Sequence, residues 1–272
     1  INVTLIILVS FPIYWAFVSS IKQPDELITN TPTLFPKNPT FESYERIWNL
    51  EPTSSRGNIR SAFMNSAIVS IGTVVVSAVI STLAAYALTI LRTPFRHFIF
   101  LLIIMPILIP GISLLIPLYK LVKELGLMNS YLGLILIHST GMLTLGVFLM
   151  RNAFMSIPTS LREVALLEGS SELRIMFTVM LPLAIPGLLT LMVFALYGSW
   201  NDFILAFLFV NTIDMEMLNV FLMKLTFAGS QFDTFWGLLN AGAIISFVPI
   251  IIFYIFLQQY FVRGVTGSAV KE

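Results

Sequence analysis

Asp202 is the clearest candidate for a functional side chain in this sequence, because it is a carboxylate beside Trp200 and Asn201 within a long apolar stretch. An ionisable group inside a membrane segment is costly and is by default a functional candidate. A carboxylate and an amide at this place predict a polar pathway or a binding site for a polar solute. The alternative is that Asp202 lies near the outer end of its span, where it is solvated or hydrogen-bonds within the chain.

A second group of candidates offers hydrogen bonds or aromatic faces to a hydroxyl-rich solute. The amides are Asn65 and Asn240, and the rings are Tyr86, Tyr197 and Trp200. Since 13% of the residues are aromatic, most of the rings must pack or anchor the chain at an interface. His138, which lies in an apolar stretch, is likewise more typical of core packing than of ligand binding.

No constellation for catalysis or metal binding is visible in the sequence. It contains no cysteine, and its two histidines, His97 and His138, lie far apart. A glycine-rich phosphate loop and an H-E-x-x-H motif are also absent. We therefore expect no catalytic residue, metal or cofactor on this chain, so that any energy comes from a partner or an ion gradient. The net charge of +1 argues against nucleic-acid binding.

The composition indicates that lipid is the solvent for most of the chain. Its 272 residues are 57% hydrophobic and 11% charged, whereas a soluble domain carries about 25% charged residues. Because a helix needs about 20 apolar residues to cross a bilayer, the sequence predicts an all-α membrane protein with six spans. These are residues 3–21, 62–91, 98–122, 131–150, 181–210 and 235–261.

Three of these spans have distinctive sequences. Small residues in the second span favour close helix packing, and they include Ser66, Ser70, Gly72, Ser77 and Ala78. The third span should bend or break, since it contains Pro106, Pro110, Gly111 and Pro117. The sequence begins at Ile1 without a methionine, and the first span lacks a small-residue cleavage site. We expect it to be a truncated span rather than a signal peptide.

The polar, proline-rich segment of residues 22–60 is expected to lie outside the bilayer. Within it, the sequence FESYERIW, which contains Tyr44 and Trp48, predicts a short helix on the membrane surface. The expected organisation is therefore a first span at 1–21, this loop at 22–60, and a core of five spans at 61–272.

Residues 151–182 are polar and charged although apolar spans flank them, which is typical of a docking segment. Ser160 is predicted to cap a helix, with Glu163 three residues later as in a capping box. Val164, Leu167 and Leu166 would line one side of that helix at helical spacing. Gly169 can end the helix or admit a partner backbone, and Pro182 suits the start of the next span. The alternative is an ordinary surface helix between two spans.

The spacing of this segment resembles the EAA loop of importer-type ABC permeases. The matching positions are Glu163, Ala165, Gly169, Val179, Leu181 and Pro182. Val164 and Val179 depart mildly from the family's Ala and Ile. The resemblance implies a short helix that sits in a cleft of the ATPase subunit and passes its motion into the membrane. The residues to which this coupling role is assigned are Glu163, Val164, Ala165, Leu167 and Gly169.

The resemblance extends over nearly the whole chain. GSWNDFILAFLF at 198–209, QQYFVRGVTGSAVKE at 258–272 and PTFESYERIW at 39–48 are similar to the second permease of maltose-transporter-type importers. It implies that the tail at 262–272 reaches the ATPase dimer through Arg263, Gly264 and Lys271. It also implies that residues 211–234 face an extracytoplasmic sugar-binding protein, through Asn211, Phe227, Gly229 and Gln231.

The resemblance further implies a second homologous permease, two ATPase subunits that hold ATP and Mg, and a site in a prokaryotic inner membrane. Counting Lys and Arg favours neither side, but discounting the long 22–60 loop favours cytoplasmic termini. The expected function is sugar or oligosaccharide import by alternating access. Alternatives are the same architecture with glycerol phosphate or another polar cargo, an ion-coupled secondary transporter, or a membrane scaffold. A secondary transporter would need more intramembrane carboxylates and an internal repeat.

Overall fold

A computed structural model gives the structure of residues 2–29, 31–53, 55–91, 93–227 and 232–266. Over these residues the chain is helical and has no strand. The first seven helices are α1 (Asn2–Ser20), α2 (Pro24–Leu27), α3 (Glu42–Trp48), α4 (Ile59–Thr89), α5 (Arg96–Ile104), α6 (Leu115–Glu124) and α7 (Tyr131–Met155). The next seven are α8 (Thr159–Leu167), α9 (Glu172–Ile175), α10 (Leu181–Leu183), α11 (Ile185–Trp200), α12 (Ile204–Phe209), α13 (Leu218–Phe227) and α14 (Phe232–Thr266).

Among the described residues, three helices are long and apolar enough to cross a membrane, and two bent pairs bring the number to as many as five. The three are Ile59–Thr89, Tyr131–Met155 and Trp236–Phe256. The apolar part of α1, Thr4–Ser20, is shorter. The all-α prediction is confirmed, and the count of six spans stays a prediction.

The third predicted span is broken, as its prolines indicated. Arg96–Leu108 and Gly111–Glu124 meet at 97°. Pro106 lies in a 3-10 turn at Met105–Leu108, and Pro110 precedes a second one at Gly111–Leu114. A proline cannot donate the helical backbone hydrogen bond and its ring clashes with the preceding turn, which accounts for the break.

The bounds predicted for the fifth span, 181–210, are wrong. A straight helix covers only Ile185–Trp200, and Glu172–Leu183 meets it at 79°. Pro182 lies in the segment before the bend, whereas Pro186 occupies the first turn of α11. Proline at that place needs no intrahelical donor, so a new helix starts there instead of continuing the old one. After Trp200 the chain leaves the helix before α12 begins.

The structure divides into two compact units, of which one contains residues 68–201 and 253–272. In this unit α7 packs along α11. Gly187 allows this approach, since a Cβ there would lie 2.6 Å from the Cβ of Ala153. Gly146 likewise allows α7 to contact α4, since a Cβ there would lie 2.3 Å from Ser81 Oγ. The buried cluster around these helices includes Val147, Met150, Phe154, Met180 and Leu191.

The close contact at Gly146 predicts a selective loss of stability. In Gly146→Ala the new methyl group would also lie 3.0 Å from a methyl group of Leu191, and overpacking of this kind costs about 1–3 kcal/mol. Gly141→Ala is the matched control, because nothing lies within 4 Å of a Cβ there. We expect the midpoint of thermal unfolding in detergent to fall only for Gly146→Ala. Equal midpoints for the two variants would contradict this packing.

The other unit contains residues 1–67 and 202–252. Its α3 confirms the short helix predicted in FESYERIW. The Glu26 carboxylate accepts hydrogen bonds from the backbone N–H groups of Lys37 at 3.0 Å and Asn38 at 3.1 Å, and this bonding lowers the pKa of Glu26. Buried Glu216 pairs with Lys224 and accepts a 2.9 Å hydrogen bond from the Gly57 N–H.

Candidate functional site

The helix predicted between the spans is present as α8, Thr159–Leu167. Its N-terminus differs from the prediction, because Pro158 occupies the N-cap and no side chain caps the helix. Ser160 therefore lies within the first turn, where it cannot act as the N-cap, and the capping box with Glu163 is wrong. Pro158 already holds φ at −59°, a value close to that of a helix.

Gly169 ends α8 through a Schellman motif. Its φ is +79°, in the left-handed region that favours glycine. The Gly169 N–H donates to the Leu166 carbonyl and the Ser170 N–H to the Ala165 carbonyl, each at 3.0 Å. These two bonds satisfy carbonyls that a helix C-terminus otherwise leaves without partners. The prediction that Gly169 ends the helix is confirmed, and this turn sends the chain back toward α9.

The large apolar side chains of α8 lie on its outer face. Ala165 is buried on the inner face, whereas the side chains of Val164 and Leu167 are 55% and 89% exposed. Glu163 is also exposed, and Leu166 is exposed at the edge of this face. An apolar face of this kind outside the core is typical of a surface that another protein covers.

An ion pair joins the inner face of α8 to α9, and a hydrogen bond joins α9 to α4. Arg162 of α8 pairs with Glu172 of α9 across the Gly169 turn. The Tyr86 hydroxyl of α4 donates to the same Glu172 carboxylate at 3.0 Å. The hydrogen bond to Glu172 raises the pKa of Arg162, so its guanidinium stays charged. We call Tyr86, Arg162 and Glu172 the clamp.

Sequence reasoning missed the clamp. Tyr86 was proposed to stack on a solute ring, yet it is buried and its ring meets that of Phe154 edge-on at 5.5 Å. Arg162 and Glu172 stand ten positions apart, and only the Gly169 turn brings them together. The signal available in the sequence was the turn glycine, Gly169, with Arg162 before it and Glu172 after it.

The candidates for a solute pathway have partners within the chain. The Asp202 carboxylate accepts hydrogen bonds from the N–H groups of Leu205, at 3.3 Å, and Ala206, at 2.9 Å, at the start of α12. This is the alternative stated above, in which Asp202 hydrogen-bonds within the chain. Trp200 is buried, and the Asn201 side-chain amide donates to the Tyr197 carbonyl at 3.0 Å. Tyr197 itself is exposed.

Asn65 also has a structural role, since its buried amide donates to the backbone carbonyls of Asp214, at 2.8 Å, and Glu216, at 3.0 Å.

The predicted docking loop at 211–234 contains a helix, because α13 occupies part of it. Asn211 is exposed, while the Phe227 side chain and residues Gly229 and Gln231 lie outside the described part of the chain. α14 continues through Arg263 and Gly264, but the Arg263 side chain and Lys271 also lie outside it.

Across the residues that the structure describes, no group of three or more His, Cys, Asp or Glu side chains can hold a metal ion. The candidate site that the structure defines best is α8, a helix that the clamp joins to its unit and whose exposed face carries apolar side chains.

Comparison with known proteins identifies the family of this chain. Residues 77–267 match the family of binding-protein-dependent transport system inner membrane components. A probable ABC transporter permease, YurM of Bacillus subtilis, is 32% identical over 98% of this chain and 85% of its own length. A probable permease for starch degradation products, AmyC of Thermoanaerobacterium thermosulfurigenes, is 33% identical over 96% of this chain and 91% of its own length.

A solved structure has the same fold. It is a chain of a bacterial ABC transporter involved in the import of the acidic polysaccharide alginate. The TM-score is 0.83 at 25% identity, and the match covers 96% of this chain and 95% of that one. The family match and the shared fold together define the class of this chain as an ABC importer permease. This chain belongs to the family of binding-protein-dependent transport system inner membrane components, whose complexes also contain an ATPase and a binding protein.

Proposed function

We propose that this chain is the permease subunit of an importer for a neutral or acidic sugar or oligosaccharide, and that α8 couples it to the ATPase. The exposed Val164 and Leu167 on a clamped helix carry the coupling proposal. The sugar cargo is supported by relatives with sugar-transport names, including AmyC and the trehalose permease SugB of Mycobacterium tuberculosis.

The proposed complex contains this chain, a second homologous permease, two ATPase subunits and an extracytoplasmic sugar-binding protein. This chain is its non-catalytic part, and ATP and Mg bind to the ATPase subunits. Because the ATPase lies in the cytosol, α8 and both termini would be cytoplasmic. Residues 22–60 would then be extracytoplasmic, residues 211–234 would face the binding protein, and the tail at 262–272 would reach the ATPase dimer.

The proposed mechanism is alternating access. Closure of the ATPase dimer on ATP moves α8, and the clamp carries this displacement to α4 through Tyr86 and to α9 through Glu172. α9 leads through the π-helical turn at Met176–Met180 to the bend before α11. Arg162 joins α8 to Glu172 of α9, and Glu172 in turn joins Tyr86 of α4, so the proposed path from α8 to α4 runs through one carboxylate. ATP hydrolysis then resets the cavity.

The proposed function is tested by ATPase measurements on the complete complex in nanodiscs. The complex is copurified through this chain, and each candidate binding protein is added with or without its sugar. We expect ATP hydrolysis to rise only with a sugar-loaded binding protein. A chain that recovers no ATPase subunit, yet moves solute along an ion gradient by itself, would contradict the proposal.

A further inference from the structure

Polar and aromatic side chains line a cleft in the unit of residues 1–67 and 202–252. None of them belongs to α8 or to the clamp. The cleft has a cavity volume of about 150 Å³ and lies at the C-terminal end of α1, beside α2 and the first turns of α14. The lining side chains that bear on its chemistry are Trp15, Ser19, Lys22, Glu26, Trp236 and Asn240.

Lys22 places a charged group at this cleft while only 2% of the residue is exposed. Its ammonium donates to the Thr33 carbonyl and lies 4.6 Å from the centre of the Trp15 ring. An ammonium has three N–H donors, and the Thr33 carbonyl is the one acceptor that the described residues provide. The remaining N–H groups can therefore bind a group that enters the cleft.

Ser19 and Asn240 add further hydrogen-bonding groups. Ser19 lines the cleft and is 3% exposed, and a serine hydroxyl can both donate and accept hydrogen bonds. Asn240 donates to the Trp236 carbonyl at 2.7 Å, and its amide oxygen accepts no hydrogen bond within the described part of the chain.

Trp236 supplies the apolar surface of the cleft. The residue is 52% exposed, which leaves its indole ring open to a flat apolar group. The Trp15 ring is less open, because Lys22 lies over it and the Phe11 ring stacks 6.0 Å away. A half-exposed indole beside a hydroxyl, an amide and an ammonium matches a sugar ring, which has an apolar C–H face and a rim of hydroxyl groups.

The charges at the cleft decide which kind of sugar fits. Lys22 contributes a positive charge and Glu26 a negative one, and the bonds from Lys37 and Asn38 favour the ionised form of Glu26. These two charges cancel, so the cleft has no surplus of positive charge for an acidic sugar.

We infer that this cleft is a subsite for a neutral sugar ring, with Trp236 as the stacking face and Ser19, Lys22 and Asn240 as hydrogen-bonding groups. The inference rests on the proposed sugar import and adds a place on this chain where the cargo binds. In the proposed orientation the cleft lies on the extracytoplasmic side, where a sugar leaves the binding protein.

The test measures sugar binding to the assembled complex in nanodiscs, without the binding protein, and saturation-transfer NMR is the readout. The probes are glucose, xylotriose, trehalose and maltotriose, with glucuronate as the acidic sugar. We expect a neutral probe to bind in preference to glucuronate. Trp236→Ala should weaken binding about tenfold or more, and the milder Ser19→Ala about threefold to tenfold. Trp48→Ala, which removes a half-exposed tryptophan outside the cleft, should leave binding unchanged.

The inference is overturned if no neutral probe binds, if glucuronate binds more tightly, or if Ser19→Ala and Trp236→Ala bind as the parent does. Uptake into proteoliposomes separates this failure from that of the proposed function. If a sugar-loaded binding protein drives uptake and both variants keep the KM of the parent, the cleft is not a sugar subsite, while the proposed sugar import is supported. Failure of the parent complex to import any sugar would contradict both the proposed function and the subsite.

Discussion

Leu167→Asp is expected to detach the ATPase subunits and reduce uptake to background. Leu167 is 89% exposed on the outer face of α8, and the coupling proposal buries it against the ATPase. A carboxylate buried there without a partner is costly. Loss of one central interface anchor costs about 2 kcal/mol or more, which weakens binding roughly thirtyfold. The measurement is the amount of ATPase subunit that copurifies with the tagged permease.

Leu34→Asp is the matched control for this change. Leu34 is also an exposed leucine that lies outside the predicted spans. It belongs to the 22–60 segment, which the proposal places on the opposite side of the membrane from α8. It should copurify the ATPase as the parent does. If Leu167→Asp retained the ATPase and full uptake, the exposed face of α8 would not be the docking surface.

Glu172→Ala is expected to reduce uptake about tenfold while the ATPase subunits remain bound. The change leaves Arg162 without its carboxylate and Tyr86 without its acceptor. Hydrogen bonds to charged groups contribute about 1.5–3 kcal/mol, and partial exposure of this pair reduces that to about 1–2 kcal/mol. α8 then moves with the ATPase without moving α4, so ATP hydrolysis continues with little transport. The measurement is the number of ATP molecules hydrolysed per sugar imported.

A double-mutant cycle separates the clamp from a general loss of stability. Arg162→Ala and Glu172→Ala remove the same bond, so the double variant should be little worse than either single variant. Tyr86→Phe removes only the hydroxyl and should raise the ratio of ATP to sugar by a smaller factor. Additive effects of Arg162→Ala and Glu172→Ala would show that these residues act separately.

The features that were predictable from the sequence are those encoded locally. Composition indicates the membrane helices, the prolines at 106 and 110 indicate the break in the third span, and Gly169 indicates the end of α8. In each case the cause is a property of one residue type: missing backbone donors in proline and access to positive φ in glycine.

Helix boundaries and contacts between distant residues were not predictable. The start of the fifth span was uncertain because Pro182 and Pro186 both suit a helix start and nothing local decides between them. Its end was placed too late because the sequence stays apolar beyond Asp202. Ser160 has the chemistry of an N-cap, but Pro158 takes that position. The clamp and the cleft each join residues that are far apart in sequence, and only the folded chain brings them together.

Photo-crosslinking from α8 tests the central claim, that this helix docks on the ATPase, most directly. The chain contains no cysteine, so a single cysteine at Leu167 or Leu34 can carry a benzophenone probe without further changes. In the assembled transporter we predict a crosslink to the ATPase subunit from position 167 and none from position 34. A complex that contains the ATPase but gives no crosslink to it from position 167 would contradict the account.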